Sequence, residues 1–149
     1  MLQQQVALPQ QSSTTAEAFR SWSTQPGESG FGYSIVNDAD ELVGHVAVWG
    51  ITPTPRIGTL GIILGPEHVE RGYGTDATLV ALRIAFEELG VHKIELGVWS
   101  FNERAAHVYR KLGFVDEGRR RAAVHHRSVF HDEIRMGMLR DEYAAAHLP

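Results

Sequence analysis

The chain has 149 residues, 14 basic and 18 acidic side chains, a net charge of −4, 43% hydrophobic content and no cysteine. That length suits one domain, which at this size buries about 68–70% of the surface its unfolded chain exposes. The missing cysteine excludes disulfides, thiolate metal sites and cysteine nucleophiles, and the acidic balance argues against a general binder of nucleic acid or anionic membrane.

Residues 1–15, rich in Gln, Ser and Thr, read as a flexible lead-in to one domain over 16–142, with 143–149 as a tail. The start shows no basic segment followed by an apolar stretch, so no signal peptide is expected. The longest apolar run, Leu42–Ile51, is far short of the ~20 residues that span a bilayer. The expected location is cytoplasmic. Thr14 and Glu17 fit a capping box opening a short helix through Phe19 and Trp22, ended at Gln25-Pro26-Gly27.

Gly30–Asn37 and Leu42–Ile51 flank the polar turn Asp38–Glu41 and predict a hairpin. After Pro53 and Pro55, Arg56–Leu64 predicts a third strand that must leave the sheet at Gly65-Pro66. Thr75–Leu89 carries Leu79, Leu82, Phe86 and Leu89 on one helical stripe, closed by Gly90. Lys93–Trp99 alternates as a strand, and Glu103–Leu112 is a helix stopped by Gly113. Phe114–Ala123 and Asp132–Leu139 are strands around a His125–His131 loop, with a helical stub after Arg140. Early antiparallel strands followed by strand–helix alternation predict an α/β (α+β) fold, a mixed sheet with helices on its faces.

The segment Leu64–Thr75 (LGPEHVERGYGT) ends a strand and opens the strongest helix. Helix starts leave backbone N–H groups unpaired under a positive dipole, and Gly72 and Gly74 let an anion approach them, with Arg71 adding charge. No P-loop run is present, and the third glycine of a dinucleotide fingerprint is missing. Taken alone, the glycines equally fit a tight turn into a helix. The second segment, Asn102–Phe114, follows a strand, starts a helix at Asn102 and places Tyr109 seven residues on.

Together the motifs P-E-x-x-x-x-G-Y-G-T-D-A (Pro66–Ala77), N-x-x-A-x-x-x-Y-x-K-L-G-F (Asn102–Phe114) and D-E-I-R-M-G-M-L (Asp132–Leu139) resemble the GNAT superfamily of N-acyltransferases. The nearest look is to its branch of ribosomal-protein N-terminal acetyltransferases. The resemblance covers about residues 30–142. It implies acetyl-CoA as co-substrate, with the backbone of Ile62, Ile63 and Leu64 pairing with the pantetheine arm where two strands splay apart. Val69, Glu70, Arg71, Gly72, Tyr73, Gly74 and Thr75 would surround the pyrophosphate. Asn102, Ala105 and Lys111 would contact the cofactor, and Tyr109 would protonate, or hydrogen-bond to, the departing thiolate. A tyrosine, protonated at neutral pH with a pKa of ~10, suits that role. Asn102 equally serves as an N-cap and Tyr109 as a helix residue packed on the sheet.

Val69 and Glu70 depart from the family's phosphate-loop pattern, and Glu70 sets a negative charge beside an anion. The family's first strand and helix are expected to be missing, and a homodimer partner would then cover the exposed edge. His45 is the candidate general base, ahead of Glu95 and His107. His125, His126 and His131 lack convincing zinc spacing, so no metal is expected. Arg119–Arg121 read first as a solvated strand end, and second as an attractor for an acidic acceptor or a 3′-phosphate. The expected activity is direct acetyl transfer from acetyl-CoA to the amine of a small molecule or peptide N-terminus, with no nucleic acid or membrane partner. The alternative is a non-catalytic CoA-binding or regulatory module.

Overall fold

The first two strands form where β-branched and aromatic residues alternate with small ones. In the computed structural model, which describes residues 29–68 and 72–149, these are β1 (Phe31–Val36) and β2 (Leu42–Trp49), paired antiparallel. The turn between them is built on Asn37, whose Oδ1 accepts the backbone N–H groups of Ala39 and Glu41 at 2.9 and 3.0 Å. The helix expected at Thr14–Trp22, the lead-in, and Val69, Glu70 and Arg71 lie outside the described residues.

β3 (Ile57–Leu64) returns antiparallel to β2. Helix α1 (Tyr73–Arg83) then runs into a wider π-type turn over Ile84–Glu88, closed by the Leu89 N–H donating to the Ile84 carbonyl. Its buried stripe is Ala77, Ala81, Leu82, Ala85 and Phe86, so mostly alanine meets the sheet and the helix sits close. β4 (Lys93–Trp99) follows the predicted bounds, as does α2 (Glu103–Leu112). At the end of α2, Gly113 takes φ 116°, with Gly113 N–H to the Arg110 carbonyl and Phe114 N–H to the Tyr109 carbonyl. That is the Schellman arrangement a glycine at this position makes possible.

The sequence reading of a His125–His131 loop is corrected. β5 (Val115–His126) and β6 (Val129–Leu139) extend through it and meet at a two-residue turn. Arg127 and Ser128 both take left-handed backbone, φ 51° and 67°. This is the twist a hairpin turn requires, made here without the Asn-Gly signal that advertises it. β5 also carries register shifts between Asp116 and Gly118 and between Arg120 and Val124. α3 (Arg140–His147) forms the expected stub, with Tyr143 buried and stacked on Phe86 at 4.8 Å.

The six strands lie in the order β1-β2-β3-β4-β6-β5, antiparallel throughout except β3 with β4. The mixed, mostly antiparallel sheet is therefore as expected. Alternation puts Val46, Val48, Leu60, Ile62, Ile94, Leu96, Val98, Met136 and Met138 on one face, where they join the buried residues of the three described helices in one core. The other face carries His45, Trp49, Thr59, Lys93, Glu95 and Arg135, all partly exposed. No helix among the described residues is long and apolar enough to cross a membrane.

The Tyr143 hydroxyl donates to the Glu87 carboxylate, and burial together with that bond pushes its pKa up to about 12. A phenol whose folded value exceeds its unfolded ~10 contributes stability fully below that value and loses it as pH rises through the folded one. Tyr143→Phe should cost about 1–2 kcal/mol at neutral pH. In denaturant titrations the gap to wild type should close across pH 10 to about 12; a pH-independent gap would remove the bond from this account.

Candidate active site

The parallel pairing of β3 and β4 covers only Ile57 with Lys93, Gly58 with Ile94 and Thr59 with Glu95. Past that point β3 is paired only with β2 through Leu64, and β4 only with β6 through Trp99. The two neighbours diverge into a wedge, its vertex at Thr59 and Glu95 and its mouth at Leu64 and Trp99. Along the wedge, Ile62, Ile63 and Leu64 present a strand edge inside the sheet, which is a template for an added extended chain.

Both segments leaving the mouth begin helices, so two positive helix ends face the same opening. Beyond Leu64, a turn over Pro66–His68 leads towards Gly72, which takes φ 86° just before α1. A Cβ at Gly72 would meet nothing within 4 Å, so its constraint is the backbone angle and the space above it is open. Tyr73 and Thr75 are half-buried in the first turn of α1, and Gly74 is buried. Asn102 caps α2, its Oδ1 accepting the Ala105 N–H at 3.3 Å.

His68, inside the first motif but not singled out by the sequence, packs edge-on to Tyr73 with ring centroids 6.0 Å apart. Its side chain is 13% exposed, and its Nδ1 is buried with no hydrogen-bond partner among the described residues. Buried polar atoms left this way are rare and costly. Such an atom beside an anion-ready helix start fits a mouth that takes a polar ligand, and so fits the phosphate-bearing cofactor. The sequence signal for His68 was absent, because a lone histidine in a loop carries none.

α2 carries the chain back from the mouth to the vertex, since Val115 and Glu95 both pair with Gly137. Tyr109 lies about 10 Å along the helix from Asn102. It is 1% exposed and meets Phe114 edge-to-face at 5.7 Å. Asn102 is thus set at the mouth, and Tyr109 about two helical turns further along α2 from it. Lys111, exposed in the last turn of α2, is not brought to the mouth.

His45 lies on β2 opposite Ile63, on the face away from the helices and one strand from the wedge. Burial lowers its pKa, so the imidazole is neutral at pH 7. Glu95, at the vertex, is paired with Lys93 at 3.4 Å, and His107 is exposed on the outer side of α2. Among the described residues no group of three or more His, Cys, Asp or Glu is arranged to hold a metal ion.

Residues 2–115 match the family model of an acetyltransferase (GNAT) domain. The spermidine N(1)-acetyltransferase of Escherichia coli (strain K12) is 33% identical over 113 residues, covering 76% of this chain and 61% of that protein. Its namesake from Vibrio cholerae is 34% identical over 110 residues, 73% of this chain and 64% of that one. The chain therefore spans less than two thirds of the length of these curated relatives. The crystal structure of spermidine/spermine N-acetyltransferase SpeG from Vibrio cholerae, in complex with manganese ions, matches with a TM-score of 0.75 at 28% identity, covering 82% of this chain and 72% of that one. These findings correct the expected branch. YdaF of Bacillus subtilis, whose name suggests a ribosomal acetyltransferase, is similar only at 24% identity over 102 residues.

Gly72→Val tests the mouth. The strained φ should cost roughly 1–2 kcal/mol of stability, and the branched side chain should weaken acetyl-CoA binding in calorimetry by about tenfold or more. Unchanged affinity in a folded variant would remove this loop from the site.

Proposed function

This chain belongs to the GNAT acetyltransferase family, and on that premise we propose that it transfers an acetyl group from acetyl-CoA directly to a primary amine. The observation that supports this most is the wedge between β3 and β4 with two helix starts at its mouth. The relatives named for spermidine support an amine as acceptor.

In this reading the backbone of Ile62, Ile63 and Leu64 holds the extended arm of the cofactor, as an added strand would be held. The N–H groups of Gly72, Tyr73, Gly74 and Thr75, with Val69, Glu70 and Arg71, receive the pyrophosphate. His68 offers its buried Nδ1 beside them. Asn102 and Ala105 flank the arm at the start of α2. The bound thioester supplies an activated acyl carbon and a sulfur leaving group. Tyr109 holds a proton on Oη at the inner end of the wedge, where a leaving thiolate needs one. His45, neutral at pH 7, takes the proton of the incoming ammonium through solvent, since β3 lies between. Holding amine and thioester in one wedge supplies much of the acceleration by proximity. With no cysteine in the chain, an acyl-cysteine carrier is excluded.

The second reading, a CoA-binding module without turnover, draws on Glu70, whose charge stands in the phosphate-loop sequence. Calorimetric titration with acetyl-CoA followed by a thiol-release assay over an amine panel separates the two. Binding with turnover supports the enzyme; binding without turnover supports the module. Tyr109→Phe should lower kcat by about a hundredfold and leave the dissociation constant of acetyl-CoA unchanged. Wild-type turnover in that variant would remove Tyr109 as the acid.

A further inference from the structure

The described helices cover one face of the sheet, and beyond the wedge the end of β4 meets the tip of the β5–β6 hairpin. That junction is fixed by ring contacts. Phe101 lies parallel to His126, centroids 4.1 Å apart, and edge-on to His131 at 4.9 Å, with Trp99 at 5.2 Å on its other side. The backbone is tied as well, Ser100 N–H donating to the Asp132 carbonyl at 2.9 Å and Asp132 N–H to the Ser100 hydroxyl at 3.1 Å. The hairpin tip therefore forms a fixed wall of the mouth.

The charge of that wall runs against the charge of the chain. Between residues 119 and 133 stand Arg119, Arg120, Arg121 and Arg127, with Asp132 and Glu133 as the only carboxylates. Both carboxylates are already engaged. Asp132 accepts from Arg119 at 3.0 Å and from the Ala122 N–H at 2.9 Å. Glu133, whose side chain is 11% exposed, pairs with Arg120 at 2.8 Å and Arg135 at 3.5 Å. Arg121 and Arg127 are exposed, and among the described residues no ion pair ties either to a carboxylate. A polycation arriving at the hairpin tip meets like charge, and the two carboxylates of that stretch are already paired with arginines. An anion finds two exposed guanidiniums outside ion-pair distance of a described carboxylate, Arg121 lying near enough to help hold the Asp132 carboxyl below its usual range, and aromatic surface where the hairpin tip meets Phe101.

We propose that the acceptor is a primary amine on a molecule that itself carries carboxylates, and that the hairpin tip selects it over polyamines. The inference rests on the acetyl-transfer reading. In the reaction the amine nitrogen forms a bond to the acyl carbon as the carbon–sulfur bond breaks. One proton leaves the amine for His45 or solvent, and one reaches the sulfur from Tyr109. Arg121 and Arg127 steer and hold the acceptor and take no part in the bond changes.

The test compares kcat/KM for a short peptide with a free N-terminus followed by Asp and Glu, for phosphoethanolamine, for spermidine, and for neutral benzylamine. The acidic peptide should exceed spermidine by at least about tenfold, chiefly through KM, with the advantage shrinking as salt rises through the screening range. Phosphoethanolamine surpassing the peptide, or spermidine matching it, overturns the proposal. The double variant Arg121→Glu with Arg127→Glu should raise the KM of the acidic peptide and leave benzylamine turnover unchanged. An unchanged preference also overturns it. If no amine is acetylated, the acetyl-transfer reading fails separately, and binding decides the inference. A labelled acidic peptide should bind the wild-type chain saturably in fluorescence anisotropy, and bind the double variant at least about tenfold more weakly. No binding, or equal binding, overturns it.

Discussion

Three residue pairs hold β3 to β4, and the site depends on there being no more. A longer ladder would close the wedge and bury the strand edge that Ile62–Leu64 offers. A shorter one would leave the two halves of the sheet joined only through helix packing. The split is tolerable because, along the wedge, each strand is laddered on its outer side, β3 by β2 from Thr59 to Leu64 and β4 by β6. The apolar residues lining the separation, Leu60, Ile62, Leu96 and Val98, stay dry because helices cover their face. Parallel strands also force crossover helices, and each crossover returns its N-terminus to the same mouth. One topological decision thus opens the gap and directs positive helix ends at it, which is how a chain of net negative charge can present an anion site.

Where local pattern decides structure, the sequence was legible. The alternation of Lys93–Trp99 and the helix between Asn102 and Gly113 matched to the residue, because cap, stripe and closing glycine all agree there. Where pairing between distant segments decides, it was not. The extent of the β3–β4 ladder has no local signature, so the wedge was reachable only through family resemblance. Arg127 and Ser128 adopt the hairpin turn without the glycine or asparagine that left-handed backbone favours, and the histidines around them resembled a loop. Tyr109 and Asn102 are candidates that their motif alone names, whereas His68 becomes visible only when its burial beside Tyr73 is seen.

α3 completes the arrangement from the far side. Tyr143 is stacked on Phe86 at the π-type end of α1, while His147 Nε2 lies 2.8 Å from the Leu112 carbonyl at the end of α2. The C-terminal helix thus braces the ends of α1 and α2 that lie away from the mouth. Orientation of the two helix starts is fixed by packing rather than by contacts at the site, which leaves the mouth residues to vary chemically without loosening the frame.

The outer half of the β5–β6 hairpin carries that freedom furthest. From Val115 to Ala123 the strand is exposed along its whole length, and no β5 residue joins the buried core. Its register is set by backbone pairing with β6 and by ring contacts to Phe101, not by filling a cavity. Such a segment can be lengthened or recharged at little energetic cost to the core. The hairpin is, in effect, a fitting that can be recut without rebuilding the frame that carries it.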